Sequence, residues 1–311
     1  MITTLYSGFM KRRNFIKSGL GAFLVSLLSM RAFSITDKKA VVYAIEGNPA
    51  LAVKKLFDTL GGFGKIIGRD LSASSVLIKP NLCLPHKDSN GTITSARLVT
   101  ALCEHCLNEG VGRVIIADHT LQHADNFNNN EIVLYAKNNP GISLVLANEQ
   151  RYFARKQVEG KVLRDIEFLK ILEKTDYFIN LATAKHHSAT HVSLAIKNLM
   201  GVIWDRKIFH TELDLDQAIA DLTTAIRPHL NIIDASRVLL DRGPVGPGPL
   251  ERPGKIYASR DILAIDAVVT SNYNFGGKSL TAKDVSHLWA AYKKGAGEIN
   301  LDNIDIINLT T

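Results

Sequence analysis

The stretch Y-F-I-N-L-A-T at 177–183, continued as A-K-H-H-S-A-T-H-V-S-L-A-I-K-N-L-M-G at 184–201, decides how this chain is read. The first seven residues are apolar, of strand length, and lack alternation, the pattern of a strand buried on both faces. The period then changes. From His191 onward Val192, Ala195, Ile196, Leu199 and Met200 share one face at helical spacing, and Lys197 and Asn198 fall on the polar side. Gly201 sits where a helix stops. The expectation is a strand, a short loop, and an amphipathic helix that starts after Thr190. Lys185, His186, His187, His191, Lys197 and Asn198 crowd six nitrogen-bearing side chains into fourteen residues. A wet loop accounts for any one of them, but the set, immediately past a strand, points to a site.

Working outward, further strands are expected at 40–44, 75–79, 113–117, 142–146, 230–233, 255–258 and 304–309. Helices are expected at 49–60, 95–108, 164–173, 213–226, 261–270 and 281–294, a hairpin at 151–163, and a mobile loop at 86–94. Strands alternating with helices predict an α/β fold, a mainly parallel sheet with helices on both faces, as one domain over 35–311. The segment G-P-V-G-P-G-P at 243–249 fits neither helix nor central strand and reads as a shaped loop.

The net charge of +7 is concentrated at one end. Lys11, Arg12, Arg13, Lys17 and Arg31 carry five positive charges in residues 1–34, which contain no acid. The remaining chain is close to neutral, and with 7% aromatic residues it has neither the basic stripe nor the stacking platform of a nucleic-acid binder. K-R-R-N-F-I-K at 11–17, the apolar run at 20–28 and the small residues of A-F-S at 32–34 form the three parts of a twin-arginine export signal. Met10 stands just before that cluster as an alternative start. The expectations are export to the periplasm or beyond, the twin-arginine translocase as a transient partner, and no stable membrane span after cleavage, the run being too short.

Of three cysteines, Cys103 and Cys106 fall on an apolar helical stripe with Leu98, Val99, Leu102 and Leu107, and are expected in the core rather than as a redox pair. With no second C-x-x-C, an iron–sulfur cluster held by this chain alone is not expected.

The conspicuous polar residues fall at strand ends: Lys79 and Asn81, Asp118 and His119, Lys185 and His187, and Asp234. In a parallel sheet these ends share one edge, where open α/β proteins bind ligands. Lys185, His187 and Lys197 are candidate catalytic groups. Lys79, Asn81, Asn198 and Asp234 are candidate substrate-binding groups. Asp118, His119 and His187 are candidate ligands of a divalent metal. The expected ligand is a small anion such as a carboxylate or phosphate. There is no G-x-S-x-G, Walker loop or dinucleotide fingerprint.

At these same residues the chain resembles the family called domain of unknown function 362. The matching pieces are V-L-I-K-P-N-L at 76–82, R-V-I-I-A-D at 113–118, I-N-L-A-T-A-K-H-H at 179–187 and A-I-K-N-L-M-G at 195–201. They continue with I-I-D at 232–234, the loop at 243–249 and A-S-R-D-I-L-A-I-D-A-V at 258–268. The resemblance spans roughly 75–270, and the family's usual K-T-H stands here as Lys185-His186-His187. It implies the fold and a site, and a family often found among iron–sulfur proteins, some with a ferredoxin-like insert that this chain lacks. Three functions follow as expectations: an exported enzyme acting on a small anion, a non-catalytic binding or cofactor-delivery protein, and a redox accessory protein.

Overall fold

The alternation expected for a doubly covered sheet is visible in β2, where Val76 and Ile78 pack on one face and Leu77 on the other. A computed structural model describes residues 39–311, and the export-signal reading of 1–34 lies outside them. The chain begins with β1 (Ala40–Glu46), α1 (Pro49–Leu60), α2 (Gly62–Ile67), β2 (Ser75–Pro80), α3 (Ala96–Asn108), β3 (Arg113–Asp118), α4 (Glu131–Lys137) and β4 (Ile142–Leu146). It continues with β5 (Phe153–Gln157), β6 (Asp165–Leu169), β7 (Tyr177–His187), β8 (His191–Ser193), α5 (Ala195–Asn198), α6 (Lys207–Thr211) and α7 (Leu215–Ala225). The last elements are β9 (Leu230–Leu239), β10 (Leu250–Glu251), β11 (Lys255–Ser259), α8 (Ile262–Asn272), α9 (Ser286–Lys293) and β12 (Ile304–Thr310).

The main sheet runs β12-β1-β11-β9-β7-β2-β3-β4. Neighbours are parallel except at β11, which is antiparallel to both β9 and β1. One face is covered by α1 to α4 through Val53, Phe57, Leu102, Cys103 and Ile132, and the other by α5 and α7 to α9 through Ile196, Ile219, Leu263 and Leu288. The sheet is thus mainly parallel with helices on both faces. Cys103 and Cys106 are buried in the first layer.

Four local expectations are corrected. Residues 191–193 are not helix but β8, which folds back on β7 so that His187 pairs with His191 across a tight turn. The helix begins only at Ala195, because the Asp266 carboxylate of α8 accepts from Ala195 N (2.8 Å) and Ile196 N (2.9 Å). Residues 164–173 are not one helix: Asp165–Leu169 is β6, which pairs with β5 in a separate two-stranded sheet and buries Ile166 and Phe168 on one face, and only Lys170–Lys174 turns, as a 3-10 helix. Asp234 does not end its strand, since β9 continues to Leu239. The loop at 86–94 is packed only in its second half, where Gly91, Thr92, Ile93 and Thr94 are buried, while Lys87, Ser89 and Asn90 are exposed.

Candidate functional site

A polar row crosses the centre of the sheet. Ser259, Asn231, Asn180 and Lys79 are register partners on β11, β9, β7 and β2. Asn180 Nδ2 donates to Asn231 Oδ1 (3.0 Å) and to the carbonyl of Ala195 (2.9 Å). Asn198 Nδ2 donates to Asn180 Oδ1 (2.8 Å), and Lys79 Nζ donates to Asn198 Oδ1 (3.2 Å). Every member is buried, so the ladder has to be mutually satisfied. It fixes α5, and with it Lys197, against the end of the sheet.

At the end of this row lies a cavity of about 540 Å³, lined by Lys79, Asn81, Cys83, Asp118, Lys185, His187, Lys197, Asn198 and Arg206. Leu121, Ala189, Met200 and Pro244 give it an apolar side, and Lys207 and His210 also border it. Pro244 comes from the 243–249 loop, which is tied down where Gly243 N donates to His186 Nδ1 (3.2 Å) and Ser188 N to the Gly243 carbonyl (3.2 Å).

The cations differ in how they are satisfied. Lys79 Nζ pairs with Asp118 Oδ1 (2.8 Å) and donates to the Pro80 carbonyl (2.9 Å). Asp118 is itself saturated, accepting from Leu82 N (2.7 Å) and His119 N (3.0 Å). Gly201 closes over this pair. A Cβ there would come within 2.3 Å of Asp118 Oδ1 and 2.5 Å of Lys79 Nζ, so the position excludes a side chain. Lys185 Nζ donates to the Thr92 carbonyl (2.6 Å) and reaches Asn81 Oδ1 at 3.5 Å. Arg206 Nη2 donates to the His119 carbonyl (3.1 Å), while its buried Nε has no partner among the described residues. Among the described residues, Lys197, 7% exposed, has only the Met200 thioether sulfur at 3.5 Å, a weak acceptor.

Burial pushes Lys79, Lys185 and Arg206 down from their ordinary values. Burial also lowers Lys197, to about 8, with Asp216 opposing the shift and Lys185 adding to it. His187 is driven to about 2 by burial and then by the charges of Lys197 and Lys185. It is a neutral imidazole whose Nδ1 accepts from Ala189 N (3.2 Å).

Seven of the residues expected at the site therefore share one cavity: Lys79, Asn81, Asp118, Lys185, His187, Lys197 and Asn198. Two lie elsewhere. His119 borders a separate recess with Trp204, on whose ring it stacks at 5.2 Å, and its Nδ1 donates to the Ile203 carbonyl (2.7 Å). Burial lowers it to about 4, helped by Arg206. Asp234 accepts from Ser95 N (2.7 Å) and Ser236 N (2.9 Å), holding the start of α3. The three expected metal ligands, Asp118, His119 and His187, are not brought to one point. Among the described residues no group of three His, Cys, Asp or Glu side chains is placed to hold a metal. Arg206, Cys83 and Asp266 had not been singled out. Only the charged D-R-K triplet after M-G-V-I-W marks Arg206 in the sequence.

The model of a family described as "Domain of unknown function (DUF362)" matches residues 76–271, a span that includes all the cavity's polar residues named above. A relative, thylakoid-associated protein sll1697 of Synechocystis sp., is 25% identical over 235 residues, which is 72% of this chain and 70% of the relative. Among solved structures, the lactate racemase apoprotein from Thermoanaerobacterium thermosaccharolyticum is similar over 64% of this chain, with 10% identity and a TM-score of 0.41. That match spans about half (52%) of the racemase chain.

Proposed function

The chain belongs to the DUF362 family, and from that premise we propose that its cavity binds a small organic anion carrying at least two negative charges, and that the protein is an enzyme acting on it. The observation that carries the reading is Lys197, an ammonium 7% exposed with no oxygen partner among the described residues, facing a cavity shared with four other cations (Lys79, Lys185, Arg206 and Lys207) and one carboxylate. Burying an unpaired cation costs several kcal/mol. An anion that enters supplies the missing partner and offsets the repulsion among Lys185, Lys197 and Arg206. The apolar side formed by Leu121, Met200 and Pro244 suits a carbon skeleton. Lys79 and Lys185, held by Asp118, Thr92 and Asn81, are binding cations in fixed positions. Lys197, with its lowered pKa near 8, is the group able to move a proton near neutral pH, and this favours catalysis over binding alone. His187, held neutral chiefly by burial and then by the cations around it, meets the anion as an imidazole.

The test is thermal unfolding of the purified protein with acetate, succinate, citrate, phosphate or pyrophosphate at constant ionic strength. Multiply charged anions should raise the melting temperature and acetate should not. A flat response to all five would remove the reading. Against a non-catalytic binder, Lys197→Arg should keep the stabilisation by citrate or pyrophosphate while abolishing turnover, once a substrate is found among related acids.

We further infer that residues 1–34 direct twin-arginine export, from the K-R-R-N-F-I-K cluster at 11–17 and the apolar run after it. Replacing Arg12 and Arg13 by Lys should leave the protein in the cytoplasm, and unchanged export would overturn this. Among the described residues no helix is long and apolar enough to cross a membrane.

A further inference from the structure

Cys83 lies on the wall of the same cavity, in the turn that leaves β2. Its backbone is pinned on both sides. Leu82 N donates to Asp118 Oδ2 (2.7 Å), and the Cys83 carbonyl accepts from Leu121 N (2.9 Å). The thiol is free and half-buried, with Sγ 3.4 Å from Asn81 Oδ1. A lone thiol indicates little, but the surroundings of this one are specific. Lys79, Lys185, Lys197 and Arg206 are each within electrostatic reach of its sulfur. Lys197, buried and without an oxygen partner, opens on the same space.

The geometry points to Cys83 as a nucleophile that forms a covalent bond to the carbonyl carbon of an anion held by these four cations, the ligand class being small oxo acids. This rests on the anion-binding reading above. The step is an addition. The S–C bond forms, the C=O π pair moves onto oxygen, and the thiol proton ends on that oxygen, so no oxidant or reductant is consumed. Cations around the cavity stabilise the negative charge that develops on the oxygen. The other two cysteines cannot substitute. Burial pushes the Cys103 thiol up to about 12 and Cys106 well above its usual value, and both lie in the core.

Two alkylating probes separate charge from reactivity. Iodoacetate and iodoacetamide both form an S–C bond and release iodide, but only the first is an anion. At Cys83 of the full chain, iodoacetate should react about tenfold or more faster than iodoacetamide, the gain that a charged cleft gives an oppositely charged reactant. Lys197→Met should reduce that preference, with its melting curve showing that it folds. Oxaloacetate, a dianionic oxo acid, should protect Cys83 reversibly and more strongly than succinate, of equal charge and length without the keto carbonyl. Cys103 and Cys106 in the same chain serve as internal controls and should stay unlabelled. Cys83→Ser should retain stabilisation by pyrophosphate. If pyrophosphate raises the melting temperature but iodoacetamide labels Cys83 as fast, or succinate protects as well as oxaloacetate, the nucleophile is overturned and the anion pocket stands. If neither the melting temperature nor the labelling responds to anions, both fall.

Discussion

Asp234 and Lys197 are charged side chains buried on opposite faces of the β7–β9 pair, and they meet burial in opposite ways. Asp234, on β9, is satisfied from within the chain by two backbone N–H groups, those of Ser95 and Ser236. Lys197, on α5, has a thioether sulfur and nothing better. The first arrangement closes on itself and holds α3 in place. The second is completed only by a molecule from outside. A buried charge whose partners are its own backbone is architecture, and one whose partners are missing marks a binding site.

The largest expected effect is at Asp234. Asp234→Ala leaves two buried N–H groups without acceptors and should lower stability by about 3 kcal/mol, read as a shift in the denaturation midpoint. Its melting temperature should still rise with pyrophosphate. Loss of that response would make the two faces a single site. Next is Lys197→Met. Removing one charged contact should weaken pyrophosphate binding by about 30-fold, corresponding to about 2 kcal/mol. Meanwhile the ligand-free protein should become more stable, because a buried cation is replaced by an apolar chain of similar length. If the variant instead loses stability without ligand, Lys197 is structural, as Asp234 is.

Changing pH sharpens the same contrast. In the folded protein Lys197 titrates at about 8, in the unfolded chain at its ordinary 10.5. With the folded value depressed, the unfolded state binds more protons between those limits, so Lys197's contribution to ligand-free stability rises with pH from about 8 to about 10.5. Anion affinity should move the other way, falling above pH 8 by at most about tenfold per unit. Calorimetric titration at pH 7 to 9.5 checks this, and parallel movement of both quantities would contradict it. The smallest effect is expected at His119. His119→Phe keeps the stack on Trp204 but loses the hydrogen bond to the Ile203 carbonyl, and should cost about 1 kcal/mol with anion affinity unchanged. A fall in affinity would return His119 to the site.

The expected residues that line the cavity are those that interrupt or end apolar runs: Lys79 after V-L-I, Asp118 after V-I-I-A, Lys185 after I-N-L-A-T-A. The two that fell elsewhere show the limit of that signal. Asp234 lies three residues beyond Asn231, an odd step, so in a strand it faces away from the Asn231–Asn180–Lys79 row. His119 follows Asp118 directly, but its ring is captured by Ile203, a residue 84 positions away. The segment 164–173 has apolar spacing that suits either period, and pairing with β5 made its first half, Asp165–Leu169, a strand while Lys170–Lys174 kept a helical turn.

By itself the sequence determined the periods of its segments and hence a mainly parallel sheet covered on both faces, because side-chain alternation and helical spacing are local consequences of backbone geometry. It also determined that the polar residues gather at strand ends. Only the tertiary structure decided which charges are satisfied. The helix that carries Lys197 starts at Ala195 because Asp266, 71 residues on, accepts its first N–H groups. Asp118 is committed to Lys79 and to Leu82, 36 positions back, and Lys185 to the Thr92 carbonyl, 93 positions back. Such partners are chosen by packing between distant segments, and packing is what left Lys197 without an oxygen acceptor.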